Sequence, residues 1–142
     1  MTPVESANEQ DTRRAGAELA KQLAPGDAVL LEGDLGAGKT VFVKGLAEGL
    51  GLDPDDVTSP SFALVHEYGP AGRPPALVHA DLYRLPPGGG PVEDLALDAR
   101  GDAILAVEWP RPPLTALDAW RVTIAIGEGG ARRIDVAPPG RR

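Results

Sequence analysis

Hydrophobic positions along the 142-residue chain change period several times, and each change marks an element. Ala15, Leu19, Ala20 and Leu23 recur at helical spacing after Asp11-Thr12, which predicts an amphipathic helix capped at that pair and stopped before Pro25-Gly26. Asp27 to Glu32 encloses the apolar run Ala28-Val29-Leu30-Leu31 and reads as a strand. Phe42, Leu46 and Leu50 then return to the helical period over Val41 to Leu50, until Gly51 and Pro54 end it. Ala63 to Tyr68 and Ala76 to Leu82 read as two extended runs joined by a turn at Gly69 to Pro75, a hairpin. The Pro/Gly stretch from Pro86 to Pro91 fits neither helix nor central strand and reads as an exposed loop before a short helix over Val92 to Leu97. Ala103 to Val107 is the most apolar run and predicts a buried strand that delivers Glu108 at its C-terminal edge. Arg121 to Ile126 and Arg132 to Val136 predict an antiparallel pair around Gly127 to Gly130.

Between the first strand and the helix after it lies Gly33-Asp34-Leu35-Gly36-Ala37-Gly38-Lys39-Thr40, an unbroken G-x-x-x-x-G-K-[ST] phosphate loop. Its glycines let the backbone curl so that successive N–H groups point at a phosphate, and the helix N-terminus behind it adds partial positive charge. Lys39 is placed to reach the β- and γ-phosphates and the Thr40 hydroxyl to ligand Mg²⁺. Strand, loop and helix in that order predict an α/β chain: a single P-loop NTPase-like domain over 1–137, with a mainly parallel central sheet, antiparallel edge strands and flanking helices. Residues 138–142 read as a loose tail.

Composition narrows the class. The formal charge of −7 and the presence of only Lys21, Lys39 and Lys44 as lysines argue against a free-standing nucleic-acid binder, so any nucleic acid in the pathway is expected to be held by a partner. The absence of cysteine excludes disulfides and Cys-type zinc sites. The polar start from Met1 to Arg14 lacks an apolar signal core and no apolar run approaches a membrane span, so a soluble, cytoplasmic protein without membrane attachment is the expectation.

Four further readings concern the site. Val57 to Phe62, with three hydroxyls around Pro60, reads either as an ordinary turn or as a switch segment that senses the γ-phosphate. Trp109 reads either as a lid over the nucleotide or a partner contact, or as a residue that covers core. His79 and His66 read as packed strand histidines. Asp81 reads as a functional acid or as a structural partner of Arg84.

GDLGAGKT, SPSF (Ser59 to Phe62), HADLYR (His79 to Arg84) and EWP (Glu108 to Pro110), in that order over roughly Thr12 to Val136, resemble one family: the bacterial tRNA threonylcarbamoyladenosine biosynthesis ATPase TsaE (YjeE). The resemblance implies a compact P-loop fold that binds ATP and Mg²⁺, hydrolyses ATP slowly, and works with TsaD and TsaB on adenosine 37 of tRNA, meeting tRNA only through that complex. Carried over by residue, Gly36, Ala37, Gly38, Lys39, Thr40 and Val41 cradle the phosphates, and Thr40 and Glu108 ligand Mg²⁺. Thr12 lies near the base, Asp81 is the acid near the γ-phosphate, and Arg132, preferred over Arg133, reaches the nucleotide; Lys39, Asp81 and Glu108 form the catalytic set. SPSF stands where the family has SPTF, a change that keeps the hydroxyl, and the loop at 86–91 is richer in glycine than the family's.

Rival classes fit less well. A GTPase reads guanine with Asn-Lys-x-Asp, and the only asparagine is Asn8. A small P-loop kinase acting on a nucleotide or metabolite clamps phosphate with clustered arginines, whereas Arg73, Arg84, Arg100 and Arg111 form no cluster in sequence. An ATP-sensing module without turnover remains an alternative, because glutamine occurs only at Gln10 and Gln22 and none is placed to orient water.

Overall fold

The computed structural model describes residues 3–58, 65–69, 76–83, 103–112 and 114–140. In chain order these form β1 (Val4–Ser6), α1 (Glu9–Ala20), β2 (Ala28–Gly33), α2 (Lys39–Gly49), β3 (Val65–Tyr68), β4 (Leu77–Asp81), β5 (Ile104–Glu108), β6 (Trp120–Ile126) and β7 (Arg132–Ala137). The strands make one sheet in the order β1-β7-β6-β2-β5-β4-β3. Its four central strands, β6, β2, β5 and β4, run parallel, while β3 pairs antiparallel to β4 and β7 and β1 complete the other edge antiparallel. This is the expected architecture, including the β3–β4 hairpin pairing and the terminal β6–β7 pair.

The central strands are apolar because both sheet faces are covered. Alternation sends Val29 and Leu31 of β2, Ile104 and Ala106 of β5 and Leu77 of β4 to one face, where they pack with Leu19 of α1 and Phe42, Val43 and Leu46 of α2. Leu30, Val78, Ala80, Leu105 and Val107 point to the other face and pack with Leu114 and Ala119. The same parity puts His79, Asp81 and Glu108 on the helix-bearing face, at the strand ends near which α2 begins.

The two helices cross with their backbones in contact. A Cβ added at Gly16 would lie 2.2 Å from the Phe42 carbonyl oxygen, and one at Gly45 would lie 2.1 Å from that of Arg13. No side chain fits at either position.

The chain start differs from expectation. Helix α1 is capped by Asn8, whose Oδ1 accepts from the Asp11 N–H at 2.8 Å, and Asp11 Oδ2 in turn accepts from the Ala7 N–H at 3.0 Å. Asp11 and Thr12 therefore sit inside the helix, because Asn8, Asp11 and Thr12 all precede the apolar period and the first of these three takes the role. Strand β1 was not foreseen: three residues paired with β7 at a sheet edge carry too little apolar pattern to stand out. At the other end, Pro139 is buried and the Gly140 N–H donates to Asp118 Oδ1 at 2.8 Å, so the start of the expected tail is held. Ser59 to Phe62, the loop at 86–91 and the helix at 92–97 lie outside the described residues. Among the described residues no helix is long and apolar enough to cross a membrane.

Candidate nucleotide site

Strand β2 ends at Gly33 and α2 starts at Lys39, so the loop between them opens at the C-terminal edge of the parallel strands, where open α/β sheets bind ligands. Gly38 precedes the helix at φ 113°, a conformation that favours glycine and that turns the loop into the first helical turn. Lys39 is 4 % exposed; its Nζ donates to the Gly33 carbonyl at 2.6 Å and the Asp34 carbonyl at 3.0 Å, and stands 4.3 Å from the centroid of the Trp109 ring. Burial lowers its pKa below the usual lysine value, opposed in part by the charges of Glu108, Asp81 and Asp34.

Thr40, one residue on, donates its hydroxyl to Glu108, 2.9 Å from Oε2 and 3.1 Å from Oε1. Glu108 is buried at the end of β5, and its Oε2 also lies 2.5 Å from His79 Nε2. A carboxylate only accepts, so this imidazole nitrogen carries the proton. Asp81 pairs in register with Glu108 across β4 and β5, and its Oδ1 accepts from the Tyr83 N–H at 2.9 Å. The strand after Glu108 turns sharply: Trp109 adopts φ 56°, the one positive-φ residue other than glycine among those described. Its ring covers Lys39 and packs on Tyr83 at a centroid distance of 4.8 Å. Trp109 thus neither fills the core nor stands free; it roofs the lysine.

On the opposite side of the loop a cleft of about 190 Å³ is lined by Ser6, Asn8, Thr12, Gly38, Val41 and Arg132, among others. Thr12 is buried and shares a 2.7 Å hydrogen bond with the Ser6 hydroxyl, which itself donates to the Asn8 carbonyl at 2.9 Å. Arg132 lies over the loop, Nε donating to the Ala37 carbonyl at 3.0 Å, Nη2 to that of Gly36 at 3.3 Å and Nη1 to that of Gly130. Arg133, the rival candidate, points elsewhere and pairs with Asp135 at 3.4 Å.

The structure therefore brings the sequence-derived residues into two groups about one loop: Lys39, Thr40, Asp81 and Glu108 at its foot, and Thr12, Gly36, Ala37, Gly38, Val41 and Arg132 at its rim. The Asp81–Arg84 pairing involves a residue outside those described. Sequence reasoning missed the tie between His79 and Glu108 and the role of Ser6 in holding Thr12. Alternation from Asp81 back to His79 was the available signal for the first; the second had none.

Residues 6–134 match the model of a family described as "Threonylcarbamoyl adenosine biosynthesis protein TsaE". The chain belongs to the TsaE family. Among curated TsaE proteins, that of Streptomyces coelicolor is 44% identical over 80% of this chain and 77% of its own length. Those of Nostoc sp. and Bacillus subtilis are 38% and 39% identical, over 97% and 88% of this chain and 86% and 77% of theirs. The crystal structure of YdiB from Bacillus subtilis superposes with a TM-score of 0.74 at 32% identity, covering 99% of this chain and 87% of that one. The resemblance read from the motifs is borne out, and membership assigns the chain to tRNA threonylcarbamoyladenosine biosynthesis, in which TsaE is named. A P-loop and ATP binding are in keeping with that family.

Proposed function

We propose that this TsaE-family chain binds ATP with Mg²⁺ at its phosphate loop, hydrolyses ATP slowly by itself, and serves the TsaD–TsaB pair in threonylcarbamoylation of adenosine 37 in tRNA. The observation that carries the reading is the Thr40–Glu108 hydrogen bond at the foot of the loop, which brings a hydroxyl and a buried carboxylate to one point beside Lys39. Those oxygens are hard donors of the kind that suits Mg²⁺. Thr40 and Glu108 would hold the ion, which when bound neutralises charge on the β- and γ-phosphates.

The remaining work falls to the chain's own groups. Backbone N–H groups of Gly36 to Val41 and the α2 N-terminus receive the phosphates, and Lys39 exchanges its two loop carbonyls for β- and γ-oxygens. Asp81 orients the attacking water, and Thr12 and Arg132 bound the cleft that takes the base. The charge of −7 leaves tRNA to be held by the partners. Family membership leaves the metabolite-kinase alternative without support.

Glu108→Gln tests the reading, because it keeps shape and removes charge. The variant should fold normally, bind ATP with weakened Mg²⁺ dependence, and support neither hydrolysis nor tRNA modification when reconstituted with TsaB and TsaD. A stable Glu108→Gln protein with parental Mg²⁺ dependence and full activity in that system would defeat it.

A further inference from the structure

We infer that His79 is a positioning residue that holds Glu108 through one carboxylate oxygen and leaves the other to face the metal. The inference rests on the Mg²⁺ reading above and deepens it. His79 is fully buried in β4, so its polar ring atoms must find partners inside the protein or go without. Nε2 finds Glu108 Oε2 at 2.5 Å, whereas Nδ1 has no partner among the described residues. The ring is thus tied at one point only, and that point is the proposed metal ligand.

The carboxylate is used unevenly. Oε2 accepts from the imidazole at 2.5 Å and from Thr40 at 2.9 Å, while Oε1 receives only the longer Thr40 contact at 3.1 Å. Two donors occupy Oε2, so the oxygen with lone pairs to spare is Oε1. Without the imidazole, only the Thr40 hydroxyl holds the carboxylate, and it is shared between both oxygens. With it, Glu108 presents one oxygen in one direction, as outer-shell donors do for metal-binding groups generally. Because His79 and Asp81 lie on one face of β4, the contact also fixes the strand carrying Asp81 against the end of β5.

Two substitutions separate positioning from filling space. His79→Leu fills the site and lacks a donor; His79→Gln keeps an N–H at the position of Nε2. Calorimetric titration of ATP at a series of Mg²⁺ concentrations reads the metal requirement without turnover. His79→Leu should raise the Mg²⁺ concentration for half-maximal tightening of ATP binding by about 10- to 100-fold. Its ATP affinity in EDTA should stay within about threefold of the parent, since no phosphate contact is lost. His79→Gln should recover most of the Mg²⁺ dependence. If His79→Leu does not fold, His79→Asn, whose N–H falls short of Oε2, takes its place with the same expected shift. Parental Mg²⁺ dependence in the donor-less variant, equal impairment of His79→Leu and His79→Gln, or equal loss of affinity with and without Mg²⁺ would each overturn the role. Glu108→Gln run in parallel distinguishes the failures. If that variant keeps parental Mg²⁺ dependence, the metal reading itself falls; if it loses the dependence and His79→Leu does not, only the positioning role falls.

Discussion

The foot and the rim of the phosphate loop are built on different principles. At the foot, Lys39 and Glu108 are almost fully buried, and the contacts of Glu108 run between side chains fixed by strand register: His79 on β4, Glu108 on β5, Thr40 at the start of α2. At the rim, Arg132 is half-buried and spends its guanidinium on backbone carbonyls of Gly36, Ala37 and Gly130, bonds that phosphate oxygens can replace. Burial makes the foot's charges strongly interacting and costly to leave unpaired, while solvent keeps the rim's weak. The foot is therefore suited to chemistry that depends on placed charge, and the rim to capture and release.

That contrast can be broken at its strongest point. Lys39→Ala removes the buried ammonium proposed to meet the phosphates and should cost about 2–5 kcal/mol of ATP binding by calorimetry. A variant binding within about threefold of the parent would erase the distinction between the two ends. Arg132→Ala should weaken ATP binding by only about 1 kcal/mol, in keeping with partly solvated hydrogen bonds; a loss as large as that of Lys39→Ala would make the rim equal to the foot.

The smallest effect is in the pH dependence of stability. Burial depresses the Lys39 pKa in the folded protein, so between the folded value and 10.5 the unfolded chain binds the proton that the folded one has released. Unfolding takes up that proton, and this residue's contribution to stability rises with pH through the window. Thermal melts of the parent and Lys39→Met in alkaline buffers should show the parent gaining on the variant as pH climbs. Parallel curves would mean that the ammonium at the foot is as well solvated as one at the rim.

How far each end was legible in sequence follows the same division between local and long-range. The phosphate loop is a local structure, and its pattern places Lys39 and Thr40 directly. The β2 and β5 strands carry the unbroken apolar runs Ala28 to Leu31 and Ile104 to Val107 because both faces are covered there, so the runs stood out, and Glu108 at the end of the second with them. Strand order was beyond reach: β2 lies between β5 and β6, both far along the chain, and nothing local records that neighbourhood. The His79–Glu108 bond depends on that order and on register, so it emerged only from the fold. At the rim, β1 is three residues of an edge strand, and without it neither Ser6 nor its bond to Thr12 had a place. The helix start slipped from Asn8 to Asp11 because the apolar period begins only at Ala15, which leaves several capping residues in competition.

The bare backbone crossing at Gly16 and Gly45 has a mechanical consequence. Most helix pairs touch through side chains, whose rotamers give the joint some play; here carbonyl meets glycine, and there is nothing to rotate. Thr12 on α1 and Lys39 and Thr40 on α2 are thereby mounted on one stiff bracket, so the distance from the Thr12 cleft to the phosphate loop is set by the crossing itself. The molecule resembles a vise with one welded jaw, the other being the strand ends that carry Asp81, Tyr83, Glu108 and Trp109.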